Sequence, residues 1–194
     1  MRSEFFAFVS RMKYINRWGL MRNTAQENLK EHSQSVAMLA HALGVINNLY
    51  FGGDANPDRL ASLALYHDAE ETITGDMPTP VKYFSQSLRD AFAEVETEAK
   101  ETLLSMLPEE MAGVYRGLLY CTDPQEKRLV KAADVLDAYI KCVEEAKSGN
   151  AEFAQAGAAT LAKLHSLACP EAEFFCEKFL PAYEKSLDEL RAME

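Results

Sequence analysis

The sequence predicts an all-α fold organised as one domain over residues 1–194. Three observations predict it. Apolar residues recur at helical spacing through most of the chain, alternating strand-like runs are almost absent, and no linker, repeat or low-complexity tract divides it. At this length a compact fold buries roughly 70% of the surface its unfolded chain exposes, so no disulfide or metal is needed merely to hold it together.

Taken in order, residues 3–14 place Phe5, Phe6, Val9 and Met12 on one helical face. The stretch 16–28 loses the period and collects Arg17, Trp18, Gly19, Arg22 and Asn23. Over 31–50, the positions Val36, Leu39, Ala40, Leu43 and Ile46 predict a buried helix. FGGDANP is a loop in which Asn56 reads as an N-cap and Pro57 as the first helical residue. The helix so begun, 57–72, carries YHDAEE at its C-terminal end. GDMPTP over 75–80 must be an irregular turn, because Pro78 and Pro80 lack donors and push their predecessors out of helix. Helices follow over 85–106, 108–119, 126–148, 150–167 and 170–190, with Gly149-Asn150 as a stop between two of them.

Twenty Lys and Arg against 30 Asp and Glu leave a net charge of −10, which argues against a polymeric nucleic acid held by its phosphates. The four cysteines show no CxxC spacing and read as buried free thiols of a reducing compartment. Glu4 and Arg11 interrupt the apolar N-terminal patch and no small-residue cleavage site follows, so no secretory leader is expected. No stretch of about 18 apolar residues runs without a charge, so no membrane partner is expected and the location reads as cytoplasmic.

Only four histidines are present. His32 and His41 are separated by about 900° of helix rotation and point to opposite sides. His165 reads as a partly buried, satisfied core histidine. His67 is followed by Asp68 at the end of a mainly apolar helix, where unpaired polar groups are costly and a metal or hydrogen-bond network is the natural resolution. If that helix continues, Glu71 projects between His67 and Asp68 while Glu70 points away. Asp134 follows two alanines on an apolar helix, with Asp137 one turn on. Together His32, His67, Asp68 and Asp134 offer two imidazoles and two carboxylates. That set suits one divalent transition metal ion (Co, Mn, Fe, Ni or Zn) better than Ca.

The order H…HD…D over three helices resembles the HD-domain metal phosphohydrolases. More closely, NRWGLMRN, ENLKEHS, LYHDAEETITGDMPTPVKYF and KAADVLDAYIKCVEE are similar to the bacterial 5′-deoxynucleotidases of that superfamily. The resemblance implies an HD-type helical bundle with its metal-binding core at about 28–140. It implies a homodimer that hydrolyses deoxyribonucleoside 5′-monophosphates. It implies that His32, His67, Asp68 and Asp134 ligate the metal and that Glu71 is the catalytic glutamate. It further implies substrate contacts from Arg17 and Trp18 and from the turn Asp76, Met77, Pro78 and Thr79. Gly19 stands where proline would be expected, and the segment between Tyr115 and Glu126 is shorter than expected. An HD-type phosphodiesterase would need a second metal and more histidines than these, and a dNTP triphosphohydrolase a basic run that is missing. A non-enzymatic helical protein with a structural metal would have no use for Glu71.

Overall fold

In the computed structural model, which describes residues 3–192, every regular element is helical. Met1, Arg2, Met193 and Glu194, which include the start of the segment weighed as a leader and both ends of the expected domain, lie outside the described residues. In chain order the α-helices are α1 (Phe5–Val9), α2 (Leu29–Tyr50), α3 (Pro57–Leu65), α4 (Glu71–Thr74), α5 (Thr79–Lys82), α6 (Gln86–Ser105), α7 (Glu109–Leu119), α8 (Pro124–Lys147), α9 (Ala154–Ser166), α10 (Pro170–Lys178) and α11 (Leu187–Arg191). Short 3₁₀ segments follow α1 (Ser10–Tyr14), precede α9 (Ala151–Phe153) and follow α10 (Leu180–Glu184). Among the described residues no helix is long and apolar enough to cross a membrane.

Helix α2 is the axis of the fold and packs against α3, α8 and α10. Its start is set by a capping box: the Asn28 side chain accepts from the Lys30 and Glu31 amides, and Glu31 accepts from the Asn28 amide. The expected apolar face, Val36, Leu39, Ala40, Leu43 and Ile46, is buried. Gly44 permits the close approach of α3, since a Cβ there would meet Leu60 Cδ1 at 2.8 Å and Pro57 Cα at 3.1 Å. Asn56 caps α3 through the Arg59 amide with Pro57 in the first turn, as its sequence predicts.

Four readings need correction. The helix expected over 57–72 ends at Leu65, and residues 66–70 form a series of turns before α4. The helix expected over 170–190 breaks into α10, a 3₁₀ segment and α11, because Pro181 denies the helix a donor. Residues 79–82 wind one short helical turn that begins inside the stretch expected to be irregular, 75–80. His165 is exposed rather than core, its Nδ1 2.7 Å from Glu173 Oε1. The four cysteines are free, with Cys142 and Cys169 buried and the other two half-buried.

The apolar interior forms two clusters. One gathers α2, α3, α8, α9 and α10 around residues such as Leu43, Leu60, Leu136 and Phe175. The other gathers Phe5, Ala69, Leu103, Leu104, Leu107 and Leu119. Ala64 belongs to the first and Ala69 to the second, both fully buried. The His-Asp doublet is therefore carried where the chain crosses from one core to the other, and the turns at 66–70 are the crossing.

The loop ahead of α2 is moored to α8 by Glu145, which is almost fully buried. Its carboxylate accepts from the Thr24 amide and hydroxyl, the Ala25 amide, the Lys141 ammonium and Asn150 Nδ2. Burial opposes its ionisation, but Lys141, Thr24 and Asn150 outweigh that and hold its pKa below the usual carboxylate value. Glu145→Ala is expected to lower stability by roughly 3 kcal/mol at pH 7, since it strands the buried Lys141 charge. A depressed carboxyl pKa stabilises above its unfolded value of 4.5, and that contribution fades as pH falls below it. Urea unfolding should thus show the gap between variant and parent narrowing in acid.

Candidate metal and substrate site

His32 enters the site from the first turns of α2 and is fully buried. Its Nδ1 lies 2.6 Å from Oδ2 of Asp137, a buried residue of α8. With Nδ1–H donating there, Nε2 carries the free lone pair. His67 is fixed the same way by the turn it occupies, its Nδ1–H donating to the Ala64 carbonyl at 2.7 Å. Both Nε2 atoms are buried and have no hydrogen-bond partner among the described residues.

Carboxylates surround these two lone pairs. Asp68 Oδ2 lies 3.0 Å from His67 Nε2 and 3.6 Å from His32 Nε2, and Asp134 Oδ1 lies 3.4 Å from His32 Nε2. Ligand atoms of His32, His67 and Asp68 fall within 4.8 Å of one another. Asp134 gives its other oxygen to Lys131 at 2.6 Å. Two orphaned imidazole nitrogens facing two carboxylates leave a place suited to a cation, and the nitrogen and oxygen donors fit a divalent transition ion. Burial disfavours charge on both His67 and Asp68. Their mutual attraction prevails, raising the first pKa to about 9 and lowering the second to about 2, so a metal binding here would displace a proton from His67 Nε2 to free its lone pair.

Glu70 and Glu71 diverge, although not by the continuous-helix geometry expected of them, because α3 has already ended. Glu70 turns to Lys100, at 2.9 Å. Glu71, at the start of α4, keeps a buried Oε2 with no hydrogen-bond partner among the described residues. Burial, then the negative charges of Asp68 and Asp76, push its pKa up to about 9.

Arg17 and Trp18 sit in the loop between the first 3₁₀ segment and α2, closed by the Asn16–Asn28 bridge and by the Arg17 amide donating to the Glu27 carbonyl at 3.0 Å. Arg17 Nη1 lies 2.8 Å from Glu27 Oε2, 2.7 Å from His32 Nδ1 and 3.9 Å from Asp137 Oδ2. The Trp18 ring packs on Phe153 with centroids 5.3 Å apart. Asp76 follows Gly75, which takes a left-handed φ of 74°. Burial raises the pKa of Asp76, with Arg17 opposing and Asp68 adding to the shift. Met77 and Pro78 are half-buried and Thr79 is exposed; no side-chain hydrogen bond among the described residues ties these three to the ligand cluster.

Three participants escape a reading of the sequence. Asp137 orients His32, Glu27 holds the Arg17–Trp18 loop, and Glu145 moors it. Only the Asp134/Asp137 spacing on an apolar helix hinted at the first. Glu27, His32 and Asp137 also form a compact set of possible ligands, but the Arg17 guanidinium already serves as its cation.

A helical core that gathers His32, His67 and Asp68, sets Asp134 beside His32, and keeps a spare acid and an arginine near them has the arrangement of an HD-domain phosphohydrolase. An HD-domain phosphohydrolase from Listeria innocua superposes with a TM-score of 0.82 at 25% identity, covering 97% of this chain and 92% of that one. Residues 4–183 match the family described as 5′-deoxynucleotidase YfbR-like, and the chain belongs to that family. A 5′-deoxynucleotidase of Cronobacter sakazakii is 49% identical over 196 residues, 97% of this chain and 96% of the relative. The 5′-deoxynucleotidase YfbR of Escherichia coli O1:K1 / APEC is 47% identical over 191 residues, with the same coverage. The cyanophage S-2L HD phosphohydrolase, bound to dA and one catalytic Zn²⁺ ion, shares the fold with a TM-score of 0.66 at 20% identity, over 90% of this chain and 95% of that one.

Proposed function

We propose that the chain is a single-domain phosphomonoesterase that converts deoxyribonucleoside 5′-monophosphates to deoxynucleoside and phosphate. One divalent transition metal ion would be held by His32, His67, Asp68 and Asp134. The pair of orphaned, buried Nε2 atoms facing two aspartates carries this reading. Bound there, such an ion would supply Lewis acidity toward a phosphoryl oxygen and would lower the pKa of water.

The chain's own groups do the rest. Glu71 offers its buried Oε2 to return a proton to the departing 5′-oxygen or, where a bound cation would offset the Asp68 and Asp76 charges that raise its pKa, to accept the proton of the attacking water. Arg17 presents a fork of donors to the phosphate, whose charge it neutralises. The turn 76–79 borders sugar and phosphate. Attack in line with the departing oxygen needs mainly positioning and charge stabilisation, and these residues supply both. The acidic balance excludes a polymer but not a mononucleotide, because the phosphate is handled locally. A second metal, as a phosphodiesterase would use, is disfavoured because Arg17 neutralises the neighbouring carboxylates. We read the enzyme as a cytoplasmic homodimer, a state that light scattering on the eluted protein measures.

Trp18 stands beside Arg17, and a rigid indole against C2′ excludes a hydroxyl by shape. Trp18→Ala is expected to lower the dAMP:AMP ratio of kcat/KM by about tenfold or more, chiefly through faster AMP hydrolysis. Phosphate release from dAMP, AMP and a dinucleotide tests the class and the preference together. A ratio that does not move removes Trp18 from sugar selection, and a dinucleotide cleaved faster than dAMP overturns the monoesterase reading.

A further inference from the structure

We propose that Glu27 is a positioning residue that locks Arg17 and Trp18 into one rigid unit, fixing the sugar wall relative to the phosphate-binding arginine. The inference rests on the roles given to those two residues above and adds a third group that holds both. A single oxygen, Glu27 Oε2, receives Arg17 Nη1 at 2.8 Å and the Trp18 indole N–H at 3.0 Å. Neither side chain can swing without breaking a bond to the atom that holds the other. Glu27 is itself mostly buried, its side chain 15% exposed.

Two further observations show why a clamp is needed there. Trp18 has φ of 59°, a left-handed conformation that is unfavourable for a bulky residue and persists only when its surroundings over-determine it. Its carbonyl is held by Asn23 Nδ2 at 3.3 Å and the Met21 amide at 2.9 Å, while among the described residues the ring has only Glu27 as a hydrogen-bond partner. The clamp also has a firm base. Glu27 immediately precedes Asn28, the capping residue of α2, and that helix carries His32 five residues further on. The helix that presents a metal-ligating imidazole thereby sets the position of the substrate loop. Because Glu27 takes Nη1, and Nε and Nη2 of Arg17 make no side-chain hydrogen bond among the described residues, the free edge remains for a phosphate.

Trp18 is the chain's one tryptophan, so intrinsic fluorescence reports on this residue alone. In the metal-loaded full-length enzyme, Glu27→Ala is expected to lower the dAMP:AMP ratio of kcat/KM about tenfold, in keeping with loss of a charge-assisted hydrogen bond. It should also raise KM for dAMP and lower the steady-state anisotropy of the indole, with metal content unchanged. Glu27→Gln keeps an acceptor oxygen for the indole and should recover most of the ratio and the anisotropy while KM stays raised. If Glu27→Ala leaves ratio and anisotropy at parental values while Trp18→Ala collapses the ratio, the role of Trp18 stands and the clamp is overturned. If Trp18→Ala leaves the ratio intact, the sugar-wall reading fails, and the anisotropy of Glu27→Ala decides the clamp by itself. Should Glu27→Ala not fold, Glu27→Asp, one methylene shorter, draws the oxygen back from the indole while leaving the Trp18 ring intact. A lowered ratio and anisotropy then support the clamp, and parental values sink it.

Discussion

Asp68→Ala protein is expected to lose bound metal and phosphate release together. Asp68 is the carboxylate that approaches both orphaned imidazole nitrogens, 3.0 Å from that of His67 and 3.6 Å from that of His32. Without it, two neutral imidazoles and Asp134 remain, and Asp134 already shares its charge with Lys131. Outer-shell partners of metal ligands typically account for about 10–100-fold in affinity. Loss of a ligand should therefore exceed about a hundredfold, and phosphate release should fall to background. Asp137→Ala provides the internal scale. It removes the group that orients His32 but no ligand, so its metal affinity should fall only by about 10–100-fold. Elemental analysis after dialysis, beside a metal titration of phosphate release, measures both. A full equivalent of metal retained by Asp68→Ala would take that residue out of the ligand set.

What the sequence reveals of this site, and what it conceals, follows from the range of the interactions. His32, the His67-Asp68 doublet and Asp134 are legible because each is a polar group on an otherwise apolar helical pattern. Glu71 is legible for a reason that does not survive: the angular argument assumes a helix through His67, and α3 stops at Leu65. No Pro or Gly marks that stop. It arises because the chain must pass from one apolar cluster to the other between Ala64 and Ala69, a tertiary demand that local propensity does not encode. Pro181, by contrast, is visible inside the expected last helix, and α10 ends three residues before it, at Lys178. Glu27 and Glu145 look like ordinary surface acids in sequence. Their partners lie across a loop or, for Thr24 and Glu145, 121 residues away, and only the fold brings them together.

Glu71→Gln is expected to separate chemistry from metal binding. Its kcat is expected to fall about a thousandfold, within the 10²–10⁴ typical for loss of a positioned acid–base group, while metal content and KM for dAMP stay near parental values. The reason lies in what Oε2 touches: it is buried, and none of the described residues bonds to it, so its removal disrupts no structural contact. The same environment makes the carboxylate a liability for folding. Burial and the neighbouring Asp68 and Asp76 raise its pKa from 4.5 to about 9, so the native chain binds a proton that the unfolded chain has released. A raised carboxyl pKa makes stability fall as pH rises from the unfolded value toward the folded one. In chelator-treated protein, then, Glu71→Gln should be more stable than the parent, by a margin that is absent near pH 4 and grows between about pH 5 and 9. A variant that turns over slowly yet unfolds at higher urea is the behaviour of a residue kept for chemistry at the expense of stability. A variant that lost metal as well as turnover would instead make Glu71 a ligand, and one that kept full turnover would leave the proton transfer to another group.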